Sequence, residues 1–92
     1  VQPALITSFP NPFSPATAVT FTLPAASRAT LAVYNLAGQK IRTLADSDFG
    51  AGPHSIVWDG KNGSGGIVAA GVYLTRLKYG DRVVMGRMAL VK

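Results

Sequence analysis

Hydrophobic and polar residues alternate with a period of two along most of the chain, which is the spacing of a half-buried strand and not of a helix. In residues 17–23, TAVTFTL, polar and apolar side chains alternate until Pro24 ends the run. Further runs occupy residues 28–35, 39–44, 55–59, 71–79 and 82–91, and a first strand is counted at residues 4–9. With turn residues at intervals of about 8–12 residues, the pattern predicts an all-β sandwich of six or seven antiparallel strands.

The last two runs are joined by Gly80 and Asp81, a two-residue loop of the kind that closes a β-hairpin. Such a loop fixes the register of the two strands. On the face expected to join the core, Tyr79 then lies opposite Arg82, Leu77 opposite Val84, Thr75 opposite Gly86 and Tyr73 opposite Met88. On the other face, Lys78 lies opposite Val83, Arg76 opposite Met85 and Leu74 opposite Arg87.

This second face of the hairpin mixes basic and exposed apolar side chains and is a candidate contact surface. Its predicted members are Leu74, Arg76, Lys78, Val83, Met85 and Arg87, followed by Lys92 at the end of the chain. The alternative is that the long basic side chains only cover their apolar neighbours with their aliphatic stems.

Residues 9–15, FPNPFSP, contain three prolines in a chain otherwise rich in strand-forming residues. Each proline biases the preceding residue towards extended backbone and removes a hydrogen-bond donor from the ladder. The segment is therefore expected at a sheet edge, where Phe9 or Phe13 would close one end of the core. Pro12 and Pro15 also have the minimal spacing of a ligand for aromatic-lined grooves, although the structural use already accounts for them.

Composition restricts the classes of function. The 92 residues fit one domain, 1–92, and no apolar run approaches the length of about 18 residues that predicts a transmembrane helix. The chain has no cysteine, so no disulfide is expected. Its net charge is +5, but the basic residues are dispersed from Arg28 onwards, so a nucleic-acid partner is not expected.

The sequence offers little for catalysis or metal binding. The only histidine, His54, is interpreted as an exposed turn residue, and Asp46 and Asp48 are placed on a loop. Residues 59–65, DGKNGSG, resemble a calcium-binding loop, but Ala70 occupies the position that requires a bidentate glutamate. We expect a glycine-rich turn in which Asp59 accepts hydrogen bonds from loop amides, and predict no catalytic, cofactor or metal site.

Four motifs together carry a family resemblance over nearly the whole chain. They are Pro10, Asn11, Pro12 and Phe13 in the opening, Tyr34 and Gly38 around a turn, Trp58, Asp59 and Gly60, and Gly71 to Tyr73. With these residues the chain resembles the immunoglobulin-like domain of the flagellar hook-capping protein and, equally, the related C-terminal modules of secreted proteins of the Bacteroidetes and neighbouring phyla.

The resemblance implies a seven-strand sandwich of the immunoglobulin or fibronectin type III kind, with no disulfide. Trp58 would be the core aromatic residue, and the Tyr73 hydroxyl would return to nearby backbone as in a tyrosine corner. The related sorting domains of type IX secretion direct a secreted protein across the outer membrane, and the tryptophan-aspartate-glycine block is closer to the hook-capping version. We therefore expect the C-terminal module of a longer, secreted or surface-located bacterial protein.

Three functions remain open for such a module. The first is sorting or cell-surface attachment, with the secretion machinery as protein partner. The second is a structural accessory or assembly domain, including a hook-cap-like role, that packs on other domains of its parent protein. The third is carbohydrate binding through exposed aromatic residues such as Tyr34, Tyr79 or Phe49. No enzymatic activity is expected under any of them.

Overall fold

The computed structural model describes residues 5–9 and 16–91, and the described part is an all-β domain. The described residues form seven strands: β1 (Leu5–Phe9), β2 (Thr17–Leu23), β3 (Ser27–Asn35), β4 (Lys40–Phe49), β5 (Gly52–Trp58), β6 (Gly71–Tyr79) and β7 (Arg82–Leu90). The predicted all-β class and the strand periodicity of two are confirmed.

The strands form two antiparallel sheets, one with the order β1-β2-β5 and one with the order β4-β3-β6-β7. The two sheets meet at their sides, where β1 contacts β7 and β4 contacts β5. In the constant-type immunoglobulin arrangement the fourth strand pairs in the sheet of the first two strands, whereas β4 here pairs with β3. The four-stranded sheet therefore has a broad outer surface that ends at β7.

The core lies between the inner faces of the two sheets. Apolar residues at alternate positions of β2, β3, β6 and β7 point inwards, as the period of two requires. The buried cluster comprises Val19, Phe21, Leu23, Ala29, Leu31, Val33, Trp58, Val68, Tyr73, Leu77, Tyr79, Met88 and Leu90.

Two aromatic side chains anchor one end of this core, as the family resemblance implied. The Trp58 and Tyr73 rings meet edge to face with centroids 5.3 Å apart. The Tyr73 hydroxyl donates a 2.6 Å hydrogen bond to the Ala69 carbonyl, and the Trp58 indole N–H donates to the Lys61 carbonyl over 2.9 Å. Both polar tips are therefore satisfied while the rings remain buried.

The predicted register of the β6–β7 hairpin is confirmed at every pair. Tyr79 lies opposite Arg82, Thr75 opposite Gly86 and, on the outer face, Arg76 opposite Met85. Gly80 has a φ of 56°, as the first central position of a tight hairpin turn requires.

The prediction that Asp46 and Asp48 lie on a loop is wrong, because β4 continues to Phe49. Asp46 lies opposite Thr30 in the ladder with β3, and Asp48 lies opposite Arg28. The Asp46 carboxylate accepts hydrogen bonds from the Arg28 guanidinium at 3.0 Å and from the Thr30 hydroxyl at 3.2 Å. Cross-strand pairing thus keeps a run of turn-favouring residues in an extended conformation.

The interpretation of His54 as an exposed turn residue is also wrong. β5 begins at Gly52, so His54 lies within a strand and is half-buried. Its ring contacts those of Phe21 and Phe49, with centroid distances of 5.4 and 4.9 Å, and the two phenylalanine rings also contact each other at 5.2 Å. Pro53 is tolerated because β5 is an edge strand and needs fewer ladder donors.

The first strand predicted at residues 4–9 is present as β1, which lies at an edge of its sheet. The rest of the prediction for the proline-rich opening falls outside the described part. This applies to residues 10–15, which include the opening motif and Phe13, and to the side chain of Phe9.

Candidate functional site

The outer face of the β6–β7 hairpin carries the residues predicted as a contact surface. We call this set the hairpin face; its described members are Leu74, Arg76, Lys78, Val83, Met85 and Arg87, and Lys92 lies outside the described residues. Their outward direction follows from strand alternation, because the residues between them on β6 are buried in the core.

Each cross-strand pair on the hairpin face places one cation beside one apolar side chain. The pairs are Lys78 with Val83, Arg76 with Met85 and Leu74 with Arg87. Directly opposite residues have Cβ atoms about 4.5–5.5 Å apart, so the basic stems can lie along their apolar neighbours. That packing is incomplete, since Val83 remains 46% exposed and Met85 remains 50% exposed.

The charge on this sheet is unevenly distributed. No acidic residue occurs within β6 or β7, both of which are described in full. Asp81 lies in the turn that joins these two strands. The acidic residues within strands of the same sheet, Asp46 and Asp48, belong to β4 at the opposite edge, and Asp46 forms a 3.0 Å ion pair with Arg28. The hairpin face is therefore positively charged, and the nearest acidic strand lies beyond β3.

A groove continues the hairpin face towards β3 near the hairpin turn. It has a volume of about 470 Å³ and is lined by Ser27, Arg28, Thr30, Lys78 and Gly80. Lys78 is the cross-strand partner of Thr30, and the absence of a side chain at Gly80 leaves room at the end of the sheet. The sequence pattern does not predict this groove, because β3 and β6 are far apart in the chain and no local signal pairs them.

The loop after β5 uses its polar groups to hold its own shape. Asp59 accepts hydrogen bonds from the Lys61 amide at 3.1 Å and from Arg42 at 2.9 Å, as expected for a structural turn. The Asn62 side-chain oxygen accepts from the amides of Ser64 and Gly66. Within residues 5–9 and 16–91, no three His, Cys, Asp or Glu side chains come together as metal ligands would.

Two of the aromatic residues expected to be exposed are not. Tyr79 is only 8% exposed and belongs to the core, and Phe49 is half-buried with its ring 5.2 Å from that of Phe21 in an edge-to-face contact. Tyr34 does point outwards, opposite Leu74, but it is half-buried. The structure therefore does not assemble these three rings into a platform for a sugar.

The described motif residues of the family resemblance lie at one end of the sandwich. Tyr34 is near the end of β3, Gly38 has a φ of 84° in the following turn, and Trp58 and Tyr73 form the ring contact described above. Trp58 and Tyr73 stabilise the core, whereas the outward-pointing Tyr34 lies opposite Leu74 and borders the hairpin face.

The described part of the chain contains no helix with the length and apolar character that crossing a membrane would need. None of the curated proteins matches the sequence. A family model, the FlgD Ig-like domain, matches residues 11–82.

Two solved structures from Porphyromonas gingivalis share the fold. Dimeric latent PorU has a TM-score of 0.79 and 18% identity over 99% of this chain and 10% of PorU. PorZ, described as an essential bacterial surface component of the type-IX secretion system, has a TM-score of 0.61 and 22% identity over 95% of this chain and 11% of PorZ. The chain thus spans about a tenth of either protein. Because the family model covers most of its length, the chain belongs to the FlgD Ig-like domain family.

Proposed function

We propose that this domain is a non-catalytic module that sorts a secreted bacterial protein to the cell surface or attaches it there, and that the hairpin face contacts the protein partner. The observation that carries the proposal is the combination of basic charge with half-exposed Val83 and Met85 on one regular strand surface. A partner that covers this surface removes its exposed apolar side chains from water, which favours binding.

The similarity to PorU and PorZ supports the proposed role as one part of a larger protein at the cell surface. Both structures contain the fold as about a tenth of a much larger protein, and PorZ is a surface component of a secretion system. A domain of this family that serves as one part of a larger exported protein fits the same arrangement. The expected location is therefore the cell surface or the medium.

The polar groups of the domain support a non-catalytic role. The Asp59 and Asp46 carboxylates accept hydrogen bonds from the backbone and from arginine side chains, and the His54 ring packs against two phenylalanine rings. General acid–base chemistry needs a titratable pair directed at a shared substrate position. These residues are instead distributed over separate strands and loops, each with a structural contact.

A reporter fusion tests the proposal. In a bacterium with a type-IX secretion system, a periplasmic reporter would carry this chain at its C-terminus, and the matched control would lack it. We expect the fused reporter on the cell surface or in the medium, and the control in the periplasm. If both remain periplasmic while the fusion is stably folded, the sorting role is contradicted.

The accessory-domain alternative gives a different result in the parent protein. The same hairpin face could pack on a neighbouring domain, in which case deletion of this domain lowers the stability or assembly of the parent and leaves its export unchanged. Measuring the exported fraction and the melting temperature of the parent with and without the domain separates the two functions.

A further inference from the structure

We infer that the partner of the hairpin face is an acidic protein segment in extended conformation, whose alternate side chains are carboxylates, and that one carboxylate occupies the groove between Lys78 and Arg28. This inference rests on the proposed function and adds the chemistry of the partner. It follows from three properties of the hairpin face: its positive charge, its exposed apolar side chains and the distance between its cations.

Charge complementarity requires an acidic occupant. Arg76, Lys78 and Arg87 are outward cations of two adjacent strands that contain no acidic residue. A partner that brings carboxylates reduces the repulsion among these cations, and opposite potentials also accelerate association.

The apolar side chains on the same face favour a protein over a nucleic acid or a sulfated glycan. Val83 and Met85 are 46% and 50% exposed, and each lies directly beside a cation. A polyanion with a uniformly charged backbone would leave these apolar groups in contact with water. The glutamate side chains of a peptide can cover both kinds of group, because their aliphatic stems can lie on the apolar side chains while their carboxylates meet the cations.

The spacing of the cations matches an extended peptide. Arg76 and Lys78 are two residues apart on one face of β6, so their Cα atoms are about 7 Å apart. Alternate side chains of an extended peptide repeat at the same distance. Two carboxylates separated by one residue can therefore face both cations at once.

The groove provides a place for one of these carboxylates. Its lining contains the cations Arg28 and Lys78. The Ser27 and Thr30 hydroxyls at the same groove already donate to the Arg28 carbonyl and to Asp46, so the two cations are the groups that would hold the carboxylate. Asp46 already accepts a hydrogen bond from one terminal nitrogen of Arg28, and a guanidinium has further donors available. Charge-assisted hydrogen bonds from such donors to a carboxylate are shorter and stronger than neutral ones.

Fluorescence anisotropy with labelled seven-residue peptides tests the inference on the full 92-residue chain. The probe alternates glutamate with valine, and the comparison peptide replaces each glutamate with glutamine. We expect the glutamate peptide to bind at low ionic strength, and the glutamine peptide to bind at least tenfold more weakly. Binding should weaken as salt is added, because exposed ion pairs are screened.

Substitution in the chain locates the site. Lys78→Glu should weaken binding of the glutamate peptide about tenfold, because it turns an attraction into a repulsion at the groove. The matched control is Lys61→Glu, which makes the same change of charge on the exposed loop after β5 and should change the affinity less than twofold. Circular dichroism must show the same folded signal for both variants.

Three results would overturn the inference: no binding of the glutamate peptide, equal effects of the two substitutions, or tighter binding of a sulfated glycan or an oligonucleotide than of the peptide. None of these three results depends on the reporter experiment that tests the proposed function.

The two experiments can therefore fail separately. If the reporter is exported but the glutamate peptide does not bind, the sorting function stands and the inferred acidic partner is wrong. If the peptide binds at Lys78 but the reporter stays in the periplasm, the surface binds acidic segments and the sorting role is wrong.

Discussion

Replacing Thr75 with valine should stabilise the domain, although Thr75 is fully buried in its core. The residue lies on the inner face of β6 opposite Gly86, and it has no exposed surface. Its hydroxyl oxygen has no hydrogen-bond partner among the described residues. A side chain added at Gly86 would meet this hydroxyl and Ile6, so the site is tightly packed around a polar atom.

The magnitude follows from the cost of the unpartnered hydroxyl. A buried polar group without a hydrogen bond costs about 1–3 kcal/mol of stability. Valine has nearly the same shape as threonine, so Thr75→Val removes that cost without a cavity or a clash. We expect the free energy of unfolding to rise by about 1–2 kcal/mol. In a domain of this size each kcal/mol raises the melting temperature by about 4–8 °C.

Urea unfolding followed by tryptophan fluorescence measures this change, because the chain has one tryptophan and Trp58 is fully buried. The control is Thr22→Val, the same substitution at an exposed position of β2, which we expect to change stability by less than about 0.5 kcal/mol. A loss of stability in Thr75→Val, or a change equal to that of the control, would show that the hydroxyl is satisfied in solution and would refute the reasoning.

Three further substitutions have expected effects on thermal or urea unfolding. Tyr73→Phe should lose about 1–2 kcal/mol, because the Ala69 carbonyl loses its 2.6 Å donor; an unchanged melting temperature would contradict this role of the hydroxyl. Trp58→Ala should lose about 3–5 kcal/mol through the cavity it leaves and abolish the cooperative transition in a domain this small, whereas a cooperative melt would count against the core assignment. Asp46→Ala should cost less than about 1 kcal/mol, since its ion pair with Arg28 is exposed; a larger loss would mean that the β3–β4 ladder depends on that pair.

The β6–β7 hairpin could be predicted from the sequence because its determinants are local. Gly80 and Asp81 define a two-residue loop, and the loop fixes which residues face each other. Strand alternation then places Tyr79 on the same face as Leu77. This placement predicts a buried Tyr79, in agreement with its 8% exposure, and contradicts the expectation of an exposed aromatic residue at that position.

Other features depend on contacts between distant residues and could not be predicted in this way. The segment from Ala45 to Phe49 contains aspartate and serine, which locally favour a turn, and it is a strand only because β3 pairs with it. His54 follows a glycine and a proline, and its burial depends on Phe21 and Phe49 from two other strands. The groove beside Lys78 likewise requires the pairing of β3 with β6.

The surface-exposed fraction of the fused reporter shows whether the hairpin face performs the sorting or attachment. The test variant carries Arg76→Glu and Lys78→Glu, and the matched control carries Lys40→Glu and Lys61→Glu, an equal change of charge at exposed positions outside the hairpin. We expect the test variant to remain in the periplasm as a folded protein, and the control to reach the surface as the unmodified fusion does. Equal surface fractions for the two variants would contradict this role of the hairpin face.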